Sequence, residues 1–198
     1  MRIAELFYSL QGEGGRAGEP SLFVRLSGCS AKFACATSGV VCDTEFESGK
    51  EYGRAALADA LLALSSTCRW IVWTGGEPTD QLTGEDLAFF AALGYSQAIE
   101  TSGVRPVPPG LDWITVSPKV AEHVLAKHFP DGVTELKYVR HAGQAIPEPT
   151  VQARFHYLSP HSDGFTLNPA NLKACIDLCL ANPSWRLSIQ QHKLWRVL

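Results

Sequence analysis

The sequence predicts an α/β fold, an incomplete and curled TIM-type β/α barrel, on three observations. Short β-branched or aromatic runs alternate with helical stretches along the chain. Polar and small residues gather just after the strand candidates. The 198 residues are too few for a full eight-fold barrel, which typically needs ~250. Alternation of this kind implies a mostly parallel sheet covered by helices, with the site at the C-terminal strand ends.

In chain order, strands are expected over 22–26, 70–74, 97–101, 113–117, 135–139, 155–158 and 186–190. Helices are expected over 54–65, 84–93 and 169–180. Leu57, Leu61 and Leu64 recur at helical spacing in the first, giving one apolar face. In the last, Leu172, Cys175, Ile176 and Cys179 do the same. Asn168 stands as its N-cap before Pro169, and Asn182-Pro183 stops it. The strand ends carry Gly28-Cys29, Gly75-Gly76-Glu77-Pro78, Glu100-Thr101-Ser102-Gly103, Ser117-Pro118-Lys119, Ser159-Pro160-His161 and Gln190-Gln191-His192-Lys193. Their convergence on one rim argues for a single active site.

Hydrophobic residues are 45% and charged residues 19%, which excludes a disordered chain. A chain of this size buries roughly 70% of the surface its unfolded form exposes, so a single domain over 1–198 is expected. The apolar runs fall far short of the ~20 residues of a membrane helix. The first residues, MRIAELFYSLQGEGG, place acids and glycines where a secretory signal carries an apolar stretch. A net charge of -3 and a pI near 6.1 give no broad basic surface for nucleic acid. The expectation is a soluble cytoplasmic protein with no membrane or nucleic-acid partner.

Six cysteines without an export signal point to metal or chemistry rather than disulfides. Cys29, Cys35 and Cys42 share one loop, at about 29–42, directly after a strand. Three thiolates suit a [4Fe-4S] cluster with one iron open to a chelating substrate or cofactor. Zinc with a fourth ligand from elsewhere, or three unrelated thiols, are the alternatives, and paired C-x2-C spacing is absent. Cys68, Cys175 and Cys179 read as core thiols.

Leu10-Gln11-Gly12-Glu13-Gly14, Phe23-Val24-Arg25-Leu26-Ser27-Gly28-Cys29, Cys42-Asp43-Thr44, the Gly75–Pro78 turn, Glu100–Gly103, Ser117–Lys119 and Gln190–Lys193 occur in this order. Together, from about residue 3 to residue 193, they resemble the 7-carboxy-7-deazaguanine synthases, radical S-adenosylmethionine (SAM) enzymes of queuosine biosynthesis. The cysteine gaps depart from the superfamily's C-x3-C-x2-C. They are five and six residues here, with Gly39 where that pattern expects a cysteine and Val41 where an aromatic residue is usual. Cys35 is taken as the second cluster ligand.

The resemblance implies a radical SAM lyase with a partial barrel of the radical SAM type. It contracts the ring of 6-carboxy-5,6,7,8-tetrahydropterin to 7-carboxy-7-deazaguanine with loss of ammonia. It also implies a [4Fe-4S] cluster on Cys29, Cys35 and Cys42, SAM used catalytically, Mg²⁺ at Thr44 with Asp43 in support, a homodimer, and a flavodoxin or ferredoxin as reductant. SAM falls to Gly75, Gly76, Glu77, Ser117 and Lys119, the acid of Glu77 accepting from an ammonium group. The pterin falls to Gln11, Glu13, Arg25, Thr74, Glu100 and His192. Amides and carboxylates of this kind read a flat edge of donors and acceptors.

Each assignment has a plainer counterpart. Gly75–Pro78 is an ordinary glycine turn, Ser117-Pro118 a strand-ending turn, Glu13 a solvated acid and His192 a surface histidine. Asp43-Thr44 is a cap or turn pair, and Arg25 a partner for an acid such as Glu5. Another small radical SAM enzyme, such as a glycyl-radical activase, shares the cluster loop but lacks a pterin pocket. A zinc-stabilised interaction module lacks the cluster as well.

Overall fold

The structure, a computed structural model, describes residues 1–37, 45–163 and 166–197. The first half of the chain forms β1 (Arg2–Leu10), β2 (Pro20–Leu26), α1 (Lys32–Thr37), β3 (Lys50–Glu51), α2 (Arg54–Leu64), β4 (Trp70–Gly75), α3 (Gly84–Ala92) and β5 (Ser96–Thr101). The second half adds β6 (Trp113–Val116), α4 (Glu122–His128), β7 (Val133–Arg140), β8 (Ala153–Pro160), β9 (Ser162–Asp163), β10 (Thr166–Leu167), α5 (Pro169–Ala181), β11 (Trp185–Leu187) and α6 (Gln191–Trp195). A 9-stranded sheet runs in the order β11-β8-β7-β6-β5-β4-β2-β1-β3. From β2 to β11 every neighbouring pair in it is parallel, while β1 is antiparallel to both β2 and β3. This is the open, mostly parallel sheet of a partial barrel. Among the described residues, no helix is long and apolar enough to cross a membrane.

Strand alternation sorts the side chains into two faces. Leu22, Val24, Leu26, Ile71, Trp73 and Ile99 pack outward against Leu57 and Leu61 of α2 and Leu87 and Phe90 of α3. Val116, Leu136 and Leu158 extend that layer under Leu125, Phe129 and Cys175. Trp73, wholly buried there, donates from its indole to Gln97 at 3.1 Å, and Gln97 donates on to the Leu87 carbonyl at 2.8 Å. No polar atom in that chain is left unmet. On the inner face Phe7, Phe23, Val72 and Ala98 form a small cluster, with the rings of Phe7 and Phe23 stacked at 4.8 Å. One or two steps further along the strands the same face changes to Arg25, Thr74, Glu100, Thr115, Glu135 and Lys137, so the barrel interior turns from apolar to charged.

The seven expected strands are β2, β4, β5, β6, β7, β8 and β11, and the three expected helices are α2, α3 and α5. Asn168 caps α5 by accepting from the Ala170 and Asn171 amides, a contact worth ~1 kcal/mol. β1 was not expected, because residues 2–10 lack a clean alternation. β11 ends at Leu187, so residues 191–193 belong to α6 rather than to a strand end.

The hairpin between β1 and β2 has the largest consequence. Leu10 pairs with Pro20, so residues 11–19 emerge at the N-terminal end of the parallel strands. The segment folds under the barrel, where the Gly15 amide donates to Glu135 at 2.5 Å and the Arg16 guanidinium lies 3.7 Å from the Trp70 ring. The C-terminal segment meets the same loop. Gly14 donates to Ser188 at 3.0 Å and Gln191 donates to the Gly12 carbonyl at 2.9 Å. One loop thus floors the barrel and ties the β11 edge of the open sheet to the β1 side.

Candidate active site

Two groups of residues face the barrel interior, a rim of loops and a charged floor. The rim is built on two sets of backbone bonds. Gly76 donates to Leu26 at 3.0 Å, Glu77 to Gly28 at 3.0 Å, Ser117 to Thr101 at 2.8 Å and Lys119 to Ser102 at 3.0 Å. Glu77 is wholly buried. One of its oxygens accepts from the hydroxyls of Thr79 at 2.8 Å and Thr101 at 2.6 Å, and the other from the Ser102 amide at 2.9 Å and the Ser102 hydroxyl. Its carboxylate therefore braces the rim from within. Asp80 adds a second brace, accepting from the Ser30 amide and hydroxyl at 2.7 Å each and from Arg105 at 2.9 Å.

Gly76 explains why this turn is glycine. A methyl group there would run into the Gly28 carbonyl and come within 3.0 Å of the Cys29 Cβ. The glycine turn and the start of the cysteine loop therefore touch directly. Cys29 and Cys35 are half-buried. A soft thiol donor at Cys29 beside the glycine turn, with Cys35 on the same loop, fits an iron–sulfur cluster. Cys42, Asp43 and Thr44 lie outside the described residues. Beyond Ser117, a cavity of about 260 Å³ opens between Lys119, Val139, Arg140 and His141, and the Arg140 Nε is buried there without a hydrogen-bond partner. A cavity of this size with a spare donor fits the nucleoside end of SAM.

The floor gathers Gln11, Glu13, Glu100, Lys137 and Gln190. The Lys137 Nζ lies 2.5 Å from Glu13 and 3.1 Å from Glu100, and Gln11 donates to the other oxygen of Glu100 at 3.2 Å. Gln190 donates to Glu13 at 3.0 Å. Burial works to raise the Glu13 carboxyl, yet Lys137, Gln190 and His192 overcome it and hold it below its ordinary value. Burial pushes Glu100 the other way, up to about 7, against the pull of Lys137 and with a further push from Glu13 and Glu135. Burial opposes the charge on Lys137, but the two carboxylates keep it firmly protonated. Glu135, buried beneath, is satisfied by Gly15 and by Thr115 at 2.9 Å.

Of the residues singled out in the sequence, Gln11, Glu13 and Glu100 meet in this floor. His192 packs so close to Gly12 that a methyl group on Gly12 would collide with its ring. Gly75, Gly76, Glu77, Ser117 and Lys119 meet in the rim. Arg25 pairs with Glu5 at 3.0 Å, the plainer of its two readings, while its ladder partner Thr74 lies beside it on the inner face. Lys137 was missed, and Gln190, expected with the last polar cluster at the rim, reaches Glu13 in the floor instead. The signal for Lys137 is a charged side chain in the middle of a strand that must be buried, two residues after Glu135 and on its face. Cys68 and Cys175 are buried, and burial lifts the Cys175 thiol to about 11, which suits an inert core thiol.

A partial-barrel enzyme is the class that this open sheet defines, with its loop rim above a buried acid–base floor. No protein-family model matches the chain. It is 38% identical over 210 residues to the 7-carboxy-7-deazaguanine synthase of Bordetella pertussis and 37% over 212 residues to that of Caulobacter vibrioides, with 96% of both chains covered in each case. The crystal structure of QueE from Escherichia coli matches with a TM-score of 0.70 at 26% identity, over 96% of this chain and 94% of that one. The chain belongs to the 7-carboxy-7-deazaguanine synthase family.

Proposed function

We propose that the protein converts 6-carboxy-5,6,7,8-tetrahydropterin to 7-carboxy-7-deazaguanine and ammonia, as a cytoplasmic radical SAM lyase of queuosine biosynthesis. The observation that carries this reading is the floor network of Gln11, Glu13, Glu100 and Lys137 beneath a rim built on Cys29 and the Gly75–Gly76 turn. Cys29, Cys35 and Cys42 would hold the [4Fe-4S] cluster, and Thr44 with Asp43 the Mg²⁺. When bound, cluster and SAM supply a radical that removes the substrate's C6 hydrogen, and SAM is regenerated. A flavodoxin or ferredoxin delivers the electron, and the working unit is a homodimer.

The chain's own residues bind and orient. Gly76 admits the methionine end of SAM close to the backbone, and Ser117 and Lys119 take its ribose or carboxylate. Glu77 acts by holding Thr101 and Ser102 in place, since both its oxygens already accept from the protein. Glu100 and Gln11 take the donor–acceptor edge of the pterin, with Glu13 and His192 beside them. Arg25, on the inner face with Thr74, reaches the substrate carboxylate with the N–H groups that Glu5 leaves over. A buried polar set of this kind rejects an analogue lacking one partner by ~10⁴-fold or more.

A glycyl-radical activase would share the rim but has no use for two buried acids sharing a lysine. Mass spectrometry of oxygen-free protein with the tetrahydropterin, dithionite, Mg²⁺ and SAM tests the choice. Formation of 7-carboxy-7-deazaguanine is the expected result. An intact cluster that leaves the pterin unchanged would refute it.

A further inference from the structure

Neither the relatives' names nor the sequence motifs give Lys137 a part to play, yet it is the cation that joins both acids of the floor. Its side chain is only 9% exposed, against 16% for Glu13 and 22% for Glu100. The two contacts are unequal. Glu13 sits at 2.5 Å and is pinned again by Gln190, whereas Glu100 sits at 3.1 Å with Gln11 at 3.2 Å on its other oxygen. The more exposed and more loosely held acid is the one a ligand can take. Removing Lys137 would leave two carboxylates sharing one dry pocket with no cation between them, and such a pair does not stay ionised at neutral pH.

We propose that Lys137 is a positioning residue that keeps Glu100 an ionised acceptor and releases it to the paired N–H donors of a planar 2-amino-4-oxo heterocycle, while staying bound to Glu13 itself. This rests on the pterin reading above. Hydrogen bonds to an ionised acceptor are roughly twice as strong as neutral ones, so the charge state of Glu100 sets the pocket's affinity. The charged groups acting on Glu100 are Glu13 and Arg16 from the floor loop and Glu135 and Lys137 from β7, with His192 of α6 acting on Glu13. Lys137 and Glu135 are neighbours on one face of β7. Because Glu135 is already satisfied by Gly15 and Thr115, Lys137 is left to serve the two acids above it.

Fluorescence titration of reconstituted, SAM-loaded protein with 6-carboxypterin, between pH 5.5 and 7.5, reads this directly. The unchanged protein should gain affinity about tenfold per pH unit and level off near 7, where Glu100 titrates. Lys137→Gln, which keeps the hydrogen bonds and drops the charge, should move that limb up by about one to three pH units. At pH 7.5 it should then bind roughly threefold to a few hundredfold more weakly, according to the size of that displacement. Lys137→Arg should leave the limb in place, and Glu100→Gln should flatten it. A Lys137→Gln limb that coincides with the original overturns the proposal, as does an unchanged protein with no limb. If Lys137→Gln does not fold, a Lys137→Arg limb displaced from the original overturns it equally. Turnover of the tetrahydropterin without any limb defeats this proposal alone, whereas a limb without turnover defeats the synthase reading alone.

Discussion

Replacing Glu100 by glutamine should make the protein more stable at pH 8, by a margin that shrinks as the pH falls and vanishes near pH 4. The folded chain carries the Glu100 carboxyl near 7 against an ordinary 4.5, an upward move worth about 3 kcal/mol at 1.36 kcal/mol per unit. Between those two values the folded state keeps a proton that the unfolded state has lost. Stability therefore falls as pH rises through that window and is flat above about 7. Glutamine imitates the protonated acid at every pH, so the variant should gain roughly 3 kcal/mol at pH 8, roughly half of that at pH 5.5, and almost nothing by pH 4. Glu13, held low, works with the opposite sign, but its contribution fades only as pH falls below its ordinary value of 4.5. The assay is urea unfolding of the reduced, metal-free protein at several pH values. The readout is the difference between protein and variant. A variant less stable at pH 8, or a difference that does not change with pH, would refute the reasoning.

Other outcomes follow from the same contacts. Gly12→Ala should cost about 1–3 kcal/mol by driving a methyl group into His192, and adding His192→Ala should restore most of the loss in thermal melts. Gly76→Ala, which meets the Gly28 carbonyl, should lower the iron bound after oxygen-free reconstitution even where the protein still folds. Alanine at Cys29, Cys35 or Cys42 should abolish the broad visible absorbance of the cluster, and full iron content in Cys35→Ala would remove that residue from the ligand set. Arg25→Ala should raise KM for the carboxylated substrate roughly 10- to 100-fold. Its melting temperature should barely change, since the half-exposed pair with Glu5 is worth less than about 1 kcal/mol.

What was legible in the sequence follows how local each signal is. Asn168, Pro169 and the leucine spacing of α2 act within a turn or two of chain, so those elements were readable. The rim was readable because each loop sits directly after its own strand. The floor was half readable. Gln11, Glu13 and Glu100 stood out through the resemblance, but that residues 11–19 pass beneath the barrel depends on β1 running antiparallel, which residues 2–10 do not announce. Lys137 is intelligible only once Glu13 and Glu100, 124 and 37 positions away in the chain, are seen against it. Arg25 shows the reverse case, where a mid-strand charge found the nearby Glu5.

In the proposed reaction rim and floor would act on a single molecule, the acids gripping a pterin while the rim holds the sulfonium compound. Substrate carrying deuterium at C6, turned over without oxygen, tests this most directly. The label should leave the pterin and be found by mass spectrometry on the 5′ carbon of recovered SAM or 5′-deoxyadenosine. Product that forms while the deuterium is lost only to solvent, or remains on the heterocycle, would contradict it.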